Sequence, residues 1–389
     1  MMQGAPDWSG LQMAFELRRC AAIFAMVIFS AKAFASADAR VFHAQIAEVA
    51  RDLPGAAAIV VVGGESRPLF LHGFQSLNDV RPITADTQFQ LASLSKSIAA
   101  TAAALAVEQN KISWGAQLET VLPDIQWGQR HRAQQLKVFH LASQSTGLWP
   151  HAYTNLIEER LSYSAIKARL NEVAFVCDPG ACYSYQNVVF SLIGDVINKS
   201  TGESFEGFVQ TQVFIPLNMK DASIGPESLA LTNMAKPHVA TDEGWRVAPF
   251  SKRYYKVAPA AGVNASIADM QQWLLAQLGL IDGLSATVRA RIQNRYVNAS
   301  RADSHYPADP RIGSVGYGLG WRTFSFAGVA GFFHHGGYVK GMRSEMIFHP
   351  ETASGMVFLT NSEPQGLNQL SLLFAQWLVE RSGLVDRAD

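Results

Sequence analysis

Ser93 and Lys96 are the first residues of this sequence whose types and spacing could carry out chemistry. They lie in the segment Ser93-Leu94-Ser95-Lys96, and the Ala-rich run that follows this segment favours a helix. Positions i and i+3 of a helix share a face, so the hydroxyl and the amine would lie side by side. The amine is a base for the serine only if burial or a neighbouring cation lowers its pKa from about 10.4. The alternative is an ordinary solvated helix face.

Tyr185 and Asn187 form a second candidate pair, just after the turn dipeptide Pro179-Gly180. A loop tyrosine becomes a base or a proton shuttle when a nearby lysine lowers its pKa from about 10. The asparagine could hold that lysine or a substrate carbonyl. The alternative for the tyrosine is a half-buried packing ring with a satisfied hydroxyl.

A third candidate, His334-His335-Gly336-Gly337, lies between two strand-like segments. A glycine pair on an edge strand lets a substrate backbone approach closely. The backbone N–H of Gly337 could therefore donate to an oxyanion alongside that of Ser93. The alternative is an ordinary hairpin with two incidental histidines.

The elements that must position these residues change along the chain. Strand-like segments lie at both ends, and mostly helical segments lie between them, which predicts an α+β fold with one antiparallel sheet built from both termini and an inserted helical lobe. The segments that we predict as strands are Ala56–Val62, Pro68–Phe74, Tyr317–Phe326, Val329–His334, Arg343–His349 and Gly355–Thr360, and the clearest helices are Ser97–Gln109, Phe190–Asn198, Ser266–Leu278 and Leu367–Val379.

The composition excludes several function classes. The 389 residues include 32 Lys+Arg and 32 Asp+Glu, so the net charge is zero, which argues against a nucleic-acid binder. Hydrophobic residues make up 48% of the chain, as in a folded protein with an ample core. GxSxG, HExxH, Walker and GxGxxG motifs are absent from the sequence, and we predict no metal and no cofactor.

The N-terminal 35 residues have the pattern of a secretory signal. Arg18 and Arg19 precede the apolar run Cys20–Ala31, and the small-x-small pattern Ala33-Phe34-Ala35 follows it. The run has twelve residues, whereas a bilayer span takes about 20. We therefore expect residues 1–35 to be a signal peptide of an exported, periplasmic or secreted protein. The true start could be Met13, and the alternative is an uncleaved anchor.

Cys177 and Cys182 are the cysteines that remain after such cleavage. An exported protein meets oxidising conditions, so this pair, in the sequence CDPGAC, is a candidate disulfide. A zinc site is the weaker alternative, because no histidine pair with ligand spacing stands nearby. Cleavage removes three basic and two acidic residues, so the mature chain would carry a charge of −1.

Taken together and in order, the three candidates resemble the signature of penicillin-recognising serine hydrolases. The chain is most similar to the class C β-lactamase-like family, which includes class C β-lactamases, low-molecular-weight penicillin-binding proteins, D-aminopeptidases and β-lactamase-fold esterases. The resemblance runs from about Phe42 to Leu378. Secondary signatures lie at Phe89-Gln90-Leu91-Ala92, at LASQSTGL (Leu141–Leu148), at APAAGVNASIAD (Ala258–Asp269) and at YGLGW (Tyr317–Trp321).

The resemblance implies roles for the residues of the three motifs. Ser93 would attack a carbonyl, Lys96 and Tyr185 would handle the proton, and the N–H groups of Ser93 and Gly337 would form the oxyanion hole. The substrate would be positioned by Asn187, His334 and Gly336. The fold implied is that of β-lactamases and transpeptidases: residues 36–389 would form one domain, with the sheet at about 40–96 and 285–389 and the helical lobe at about 97–284.

One departure from the family pattern concerns charge. Class C β-lactamases carry a lysine in the third motif, where this chain has His334, and a histidine is mostly neutral at pH 7. The His-x-Gly form is more similar to the D-aminopeptidase and esterase members. Lys340 and Arg343 could supply the missing charge, or they could be a solvated hairpin tip.

The resulting expectation is an exported serine hydrolase that acts by two-step acyl transfer on an amide, a D-amino-acid peptide, a β-lactam or an ester. The alternatives are a penicillin-binding-type module that is acylated but turns over slowly, and a true class C β-lactamase. We expect a small-molecule or peptide substrate, no nucleic acid and no stable membrane span after cleavage. The sequence leaves the oligomeric state open.

Overall fold

Both ends of the chain contribute strands to one sheet in the computed structural model, which describes residues 42–227, 229, 233–300, 306, 308–364 and 367–382. From Ile46 onward these residues form one compact unit. In chain order the strands are β1 (Gly55–Val62), β2 (Glu65–Ser66), β3 (Phe70–Ser76), β4 (Asp79–Pro82), β5 (Phe89–Gln90), β6 (Ser223–Ile224), β7 (His238–Thr241), β8 (Gly244–Val247), β9 (Val263–Ala265), β10 (Val297–Asn298), β11 (Ile312–Tyr317), β12 (Arg322–Phe326), β13 (Val329–Val339), β14 (Met342–His349) and β15 (Ser354–Thr360).

The helices come mostly from the middle of the chain. They are α1 (42–50), α2 (Ser95–Glu108), α3 (Leu118–Val121), α4 (Arg130–Ala133), α5 (Val138–Ala142), α6 (Thr154–Glu158), α7 (Tyr163–Lys167), α8 (Leu192–Thr201), α9 (Phe205–Val209), α10 (Ala258–Ala261), α11 (Ile267–Leu278), α12 (Ala286–Ile292) and α13 (Leu367–Ser382). Short 3₁₀ turns lie at Ala92–Leu94, Leu170–Glu172, Arg253–Val257 and Pro350–Thr352, and a π turn lies at Gln210–Phe214. None of the described helices is both long and apolar enough to cross a bilayer.

Ten strands within the described residues form the main antiparallel sheet, in the order β10-β11-β12-β13-β14-β15-β1-β3-β4, with β2 beside β1. The two ends of the chain meet where β1 pairs with β15, from Ala56 opposite Thr360 to Val61 opposite Gly355. Both strands are buried along their whole length, which is why their sequences are nearly continuous apolar runs. Helix α11 packs on β1, β14 and β15, and α13 packs on β12, β13 and β14.

The predicted α+β class is confirmed, because the sheet strands come from both ends of the chain and most helices come from between them. The intervening segment is less purely helical than we expected. It also contains the hairpin β7–β8, and its strand β9 lies between β5 and β6 in a three-stranded sheet. The predicted signal segment, residues 1–35, lies outside the described residues.

The predicted single strand Tyr317–Phe326 is wrong. The chain turns at Gly318–Trp321 and returns as β12, antiparallel to β11. Gly320 makes this turn with a φ of +75°, a conformation that side chains rarely adopt. A Cβ atom there would also come within 2.5 Å of the carbonyl oxygen of Lys96, so the turn packs directly on the backbone of α2.

Helix α2 is the central helix of the fold. Twelve of its fourteen residues are buried, and half of these are alanines, whose small side chains let neighbouring elements approach closely. Helices α8, α10 and α12 pack around it. The start of α2 is therefore held firmly, and this is where Lys96 lies.

Candidate active site

Ser93 lies in the 3₁₀ turn between β5 and α2, and its side chain is partly exposed. The residue before it, Ala92, has a φ of +47°, a left-handed conformation that costs a non-glycine residue about 1–3 kcal/mol. The turn is held on two sides, because the Leu91 N–H donates to the Val263 carbonyl and the Ser344 hydroxyl donates to the Leu91 carbonyl at 2.7 Å. This strained turn presents the Ser93 hydroxyl at the N-terminal end of α2.

Lys96 is fully buried, and its Nζ atom has three oxygen neighbours. It lies 3.2 Å from Ser93 Oγ, 2.8 Å from Asn187 Oδ1 and 3.0 Å from the carbonyl oxygen of Ala260. A neutral amine has two N–H donors and one lone pair. The amide and carbonyl oxygens accept the two N–H groups, which leaves the lone pair for the proton of the Ser93 hydroxyl.

The protonation of Lys96 follows from its surroundings. Burial holds the pKa of the amine well below its usual value of 10.5, and the positive charge of Arg322 lowers the pKa further. A lowered pKa favours the neutral form of the amine, which can act as a base. The side chain therefore meets both requirements for activating Ser93, which are proximity and a free lone pair.

Tyr185 approaches Ser93 from the helical lobe, and both side chains line the same cleft. The Nζ atom of Lys96 lies 4.7 Å from the centroid of its ring, and the guanidinium carbon of Arg322 lies 5.3 Å from it. Burial raises the pKa of Tyr185, while the charge of Arg322 and the interaction with the Ser93 side chain lower it. The tyrosine thus stands where it can pass a proton to or from the serine oxygen.

Gln144 fixes the segment that carries Tyr185 and Asn187. Its side-chain oxygen accepts the N–H of Gln186 at 2.7 Å, and its side-chain amide donates to the Gln186 carbonyl at 3.0 Å. Its backbone carbonyl also accepts the N–H of Ser184 at 2.8 Å. One buried glutamine therefore satisfies the backbone on both sides of Tyr185.

The two predicted cysteines, Cys177 and Cys182, are joined by a disulfide. The bridge closes the loop that contains Gly180, whose N–H donates to the Ser145 carbonyl at 2.7 Å. Tyr183 follows the bridge directly. The disulfide thus tethers the chain at the point where it enters the cleft.

The structure does not bring His334 to Ser93. The His334 ring is buried beside Tyr306, 3.1 Å from its hydroxyl, and lies 2.6 Å from a carboxylate oxygen of Glu345. Its neighbour His335 faces the site instead, with its ring centroid 6.5 Å from that of Tyr185. Successive side chains of a strand point to opposite faces, so a shift of one residue changes which histidine is near the serine.

His335 does not restore the missing positive charge. Burial holds its pKa well below 6.5, and the charge of Arg322 lowers it further, so the ring is neutral at pH 7. Its Nε2 atom lies 3.0 Å from the hydroxyl of Tyr317, and its Nδ1 atom lies 2.8 Å from the Gly336 carbonyl. The ring is therefore a neutral, buried and hydrogen-bonded neighbour of Tyr185.

Gly336 and Gly337 both line the cleft, as predicted for substrate approach. Strand β12 pairs with β13 as far as Arg322 opposite His334, so the later residues of β13 extend past the end of β12. A Cβ atom at Gly337 would collide with the Leu91 carbonyl and the Ser344 hydroxyl. Only glycine lets this strand pack so closely against the turn that carries Ser93.

The residues converge on a cleft of about 650 Å³. The sequence analysis missed several of its residues, of which Arg322 could have been noticed directly after Trp321 and Tyr183 just before Tyr185. The cleft is lined by Ser93, Pro150, His151, Thr154, Tyr183, Tyr185, Asn187, Tyr254, Ala261, Arg322, Gly336, Gly337, Tyr338 and Arg343.

The cations around the cleft differ in their partners. Arg343 lines it and donates to the buried carboxylate of Glu345 at 3.0 Å. Lys340 is exposed and is not among the lining residues. Arg322 also lines the cleft, and its guanidinium donates to the Tyr183 hydroxyl at 3.0 Å.

The chain is similar in sequence to known proteins over most of its length. The family described as Beta-lactamase matches residues 38–376. The unguisins hydrolase ungD of Aspergillus violaceofuscus is 23% identical over 339 residues, which are 80% of this chain but only 58% of that hydrolase. The beta-lactamase of Escherichia coli is 25% identical over 342 residues, 79% of this chain and 84% of that enzyme.

A solved structure has the same fold. The octameric penicillin-binding protein homologue from Pyrococcus abyssi superposes with a TM-score of 0.74 at 20% identity, over 90% of this chain and 80% of its own. At this identity the likeness shows the fold alone, whereas the family match covers most of the chain. The chain therefore belongs to the beta-lactamase family of serine hydrolases.

Proposed function

We propose that this protein is an exported serine hydrolase that cleaves an amide, a D-amino-acid peptide, a β-lactam or an ester through a covalent acyl-enzyme. The single observation that supports this most strongly is the environment of Lys96 Nζ. Two oxygen acceptors, on Asn187 and Ala260, occupy its donors, and the Ser93 hydroxyl lies 3.2 Å away.

In the first step the Oγ atom of Ser93 attacks the substrate carbonyl carbon while its proton passes to Lys96 Nζ. The negative charge moves to the carbonyl oxygen, where the N–H groups of Ser93 and Gly337 would stabilise it. The bond to the leaving group then breaks, and Tyr185, which lines the cleft with Ser93, relays the proton from Lys96 to the leaving group.

In the second step a water molecule attacks the ester formed with Ser93. The water loses a proton to the same Lys96 and Tyr185 pair, and Ser93 leaves with a proton returned to its oxygen. Asn187 holds the lysine in place during both steps through its contact at 2.8 Å. Gly336, at the cleft wall, leaves room for the substrate backbone.

The proposal of export rests on two features. The N-terminal sequence has the pattern of a secretory signal, and the disulfide between Cys177 and Cys182 is the kind of bond that persists in oxidising compartments. Fractionation of the native host would test it. A processed chain in the periplasm or medium is the expected result, and full-length protein in the cytoplasm would contradict export.

Turnover of three substrates by wild type and by Ser93→Ala tests the hydrolase assignment. A nitrophenyl ester, a D-Ala-terminal peptide and a chromogenic cephalosporin should be compared side by side. We expect Ser93-dependent turnover of at least one of them, and its identity separates esterase, peptidase and β-lactamase. A covalent label that persists for hours without turnover would favour a penicillin-binding module, and turnover that does not depend on Ser93 would overturn the proposal.

A further inference from the structure

Arg322 brings to the cleft a positive charge that none of the three motifs predicted. Its guanidinium donates to the hydroxyl of Tyr183, and its carbon lies 5.3 Å from the ring centroid of Tyr185. Among the ion pairs found within the described part of the chain, none involves Arg322. Its charge is therefore not neutralised by a carboxylate there.

The other arginine of the cleft is a useful contrast. Arg343 lies 3.0 Å from a carboxylate oxygen of Glu345, which is fully buried and also contacts His334 at 2.6 Å. A neighbouring anion cancels most of the field of a cation at distances beyond the pair. Of these two arginines, Arg322 is therefore the one that projects a net positive field towards Ser93.

Three other titratable groups near Lys96 or Tyr185 are uncharged near neutral pH. Burial lowers the pKa values of His151 and His335, and burial raises that of Tyr317 well above 10. The hydroxyl of Tyr183 is bonded to Arg322 itself. A guanidinium stays protonated throughout this range, so its charge is the fixed one.

We propose that Arg322, on strand β12 and outside the three motifs, is a positioning residue that keeps the pair formed by Lys96 and Tyr185 ready to accept the proton of Ser93. This inference rests on the proposed function. A fixed positive charge repels a second one on Lys96 and attracts a negative charge on Tyr185. It does what the lysine of the third motif would do in a class C β-lactamase, where this chain has a histidine.

The direction of the expected effect follows from the sign of the charge. Arg322 lowers the pKa of Lys96 and that of Tyr185, so its removal raises both. The proton acceptor must be unprotonated before Ser93 can react, so the acid limb of the rate profile moves to higher pH. The loss is greatest at low pH and disappears at high pH, whereas a purely structural defect would reduce the rate at every pH.

The test is the pH dependence of the rate at which a fluorophosphonate labels Ser93. For Arg322→Gln we expect the acid limb to move upward by about one pH unit, the lower end of the shift that a nearby charge causes. Arg322→Met, which keeps the apolar stem, is a second neutral variant should Arg322→Gln fail to fold. Arg322→Lys keeps the charge, so the acid limb of its labelling rate should lie at the same pH as that of the wild type.

Two controls separate charge from structure. Arg253→Gln removes an exposed arginine that is paired with Glu158, and Arg169→Gln removes an exposed arginine that is paired with Glu172. In both variants the acid limb of the labelling rate should lie at the same pH as in the wild type. A folded neutral variant of Arg322 whose limb does not move, or whose rate falls equally at every pH, overturns the inference. Labelling of the wild type that does not depend on Ser93 would instead overturn the proposed function.

Discussion

Lys96 Nζ and Asn187 Oδ1 lie 2.8 Å apart, although 91 residues separate them in the chain. The contact joins the start of the central helix to the helical lobe. The Ala260 carbonyl accepts from the same amine at 3.0 Å. These two contacts fix the amine so that its lone pair faces Ser93 Oγ at 3.2 Å. The proton acceptor of the proposed reaction is therefore positioned by the fold before any substrate binds.

Replacement of the buried amine should abolish rapid acylation. Lys96→Met keeps much of the volume but has no base, and a positioned base contributes about 10²–10⁴-fold to a rate. We expect fluorophosphonate labelling to slow by that factor. Lys199→Met, which alters an exposed lysine, is the matched control. Labelling of Lys96→Met at the wild-type rate would show that another group takes the proton.

Gln144 should matter for activity although it does not line the cleft. Gln144→Ala leaves the buried N–H and carbonyl of Gln186 without their partner, at a cost of about 1–3 kcal/mol for each group. The displaced Tyr185 should slow labelling by about a hundredfold. Thermal melting and labelling rates check both effects, with the exposed Gln135→Ala as control. An unchanged rate would show that the lobe holds Tyr185 without this glutamine.

The disulfide should stabilise the fold measurably. Closure of a loop as short as the one between Cys177 and Cys182 is worth about 2 kcal/mol of unfolding free energy in the chain-entropy account. Denaturant unfolding of the wild type should therefore shift to lower denaturant when a reductant is added. The double variant Cys177→Ser/Cys182→Ser should show no such shift. Equal stability of wild type and double variant would contradict the prediction.

His140 should make the fold sensitive to acid. Burial, with a smaller contribution from Lys137, lowers its pKa from 6.5 to about 4, and its Nδ1 atom accepts the Lys137 N–H at 3.0 Å. The unfolded chain therefore binds a proton that the native state does not bind between pH 6.5 and 4. Stability contributed by the neutral ring is present above pH 6.5 and is lost as the pH falls towards 4, by about 2–3 kcal/mol.

Melting temperatures of wild type and His140→Gln between pH 4 and 7 check this dependence. The variant cannot titrate at this position, so its melting temperature should fall less steeply with acid. His131→Gln, at an exposed position, should follow the wild type. Parallel curves for wild type and His140→Gln would show that other groups cause the acid sensitivity.

Local sequence patterns predicted much of the fold and the centre of the site. The apolar run of β1 and the Ala-rich run of α2 were recognisable because burial on all sides leaves a continuous signal. The spacing of Ser93 and Lys96 predicted their contact, because residues three apart share a helix face. These features depend on few residues that are close in sequence.

The remaining parts of the site depend on pairings between distant segments. Two adjacent histidines give no local sign of which one faces the serine, and the register of β13 against its neighbours places His335 there instead of His334. The turn at Gly320 splits a predicted strand in two, and the second strand begins at Arg322. The position of Arg322 in the cleft thus depends on the topology of the sheet.

The most direct test of the account is to locate the covalent adduct that a fluorophosphonate forms. After labelling and proteolysis, peptide mass mapping should find the adduct on Ser93. Ser93→Ala should remain unlabelled, and the exposed Ser113→Ala should be labelled as fully as the wild type. An adduct on another residue, or equal labelling of Ser93→Ala and wild type, would contradict the assignment of Ser93 as the nucleophile.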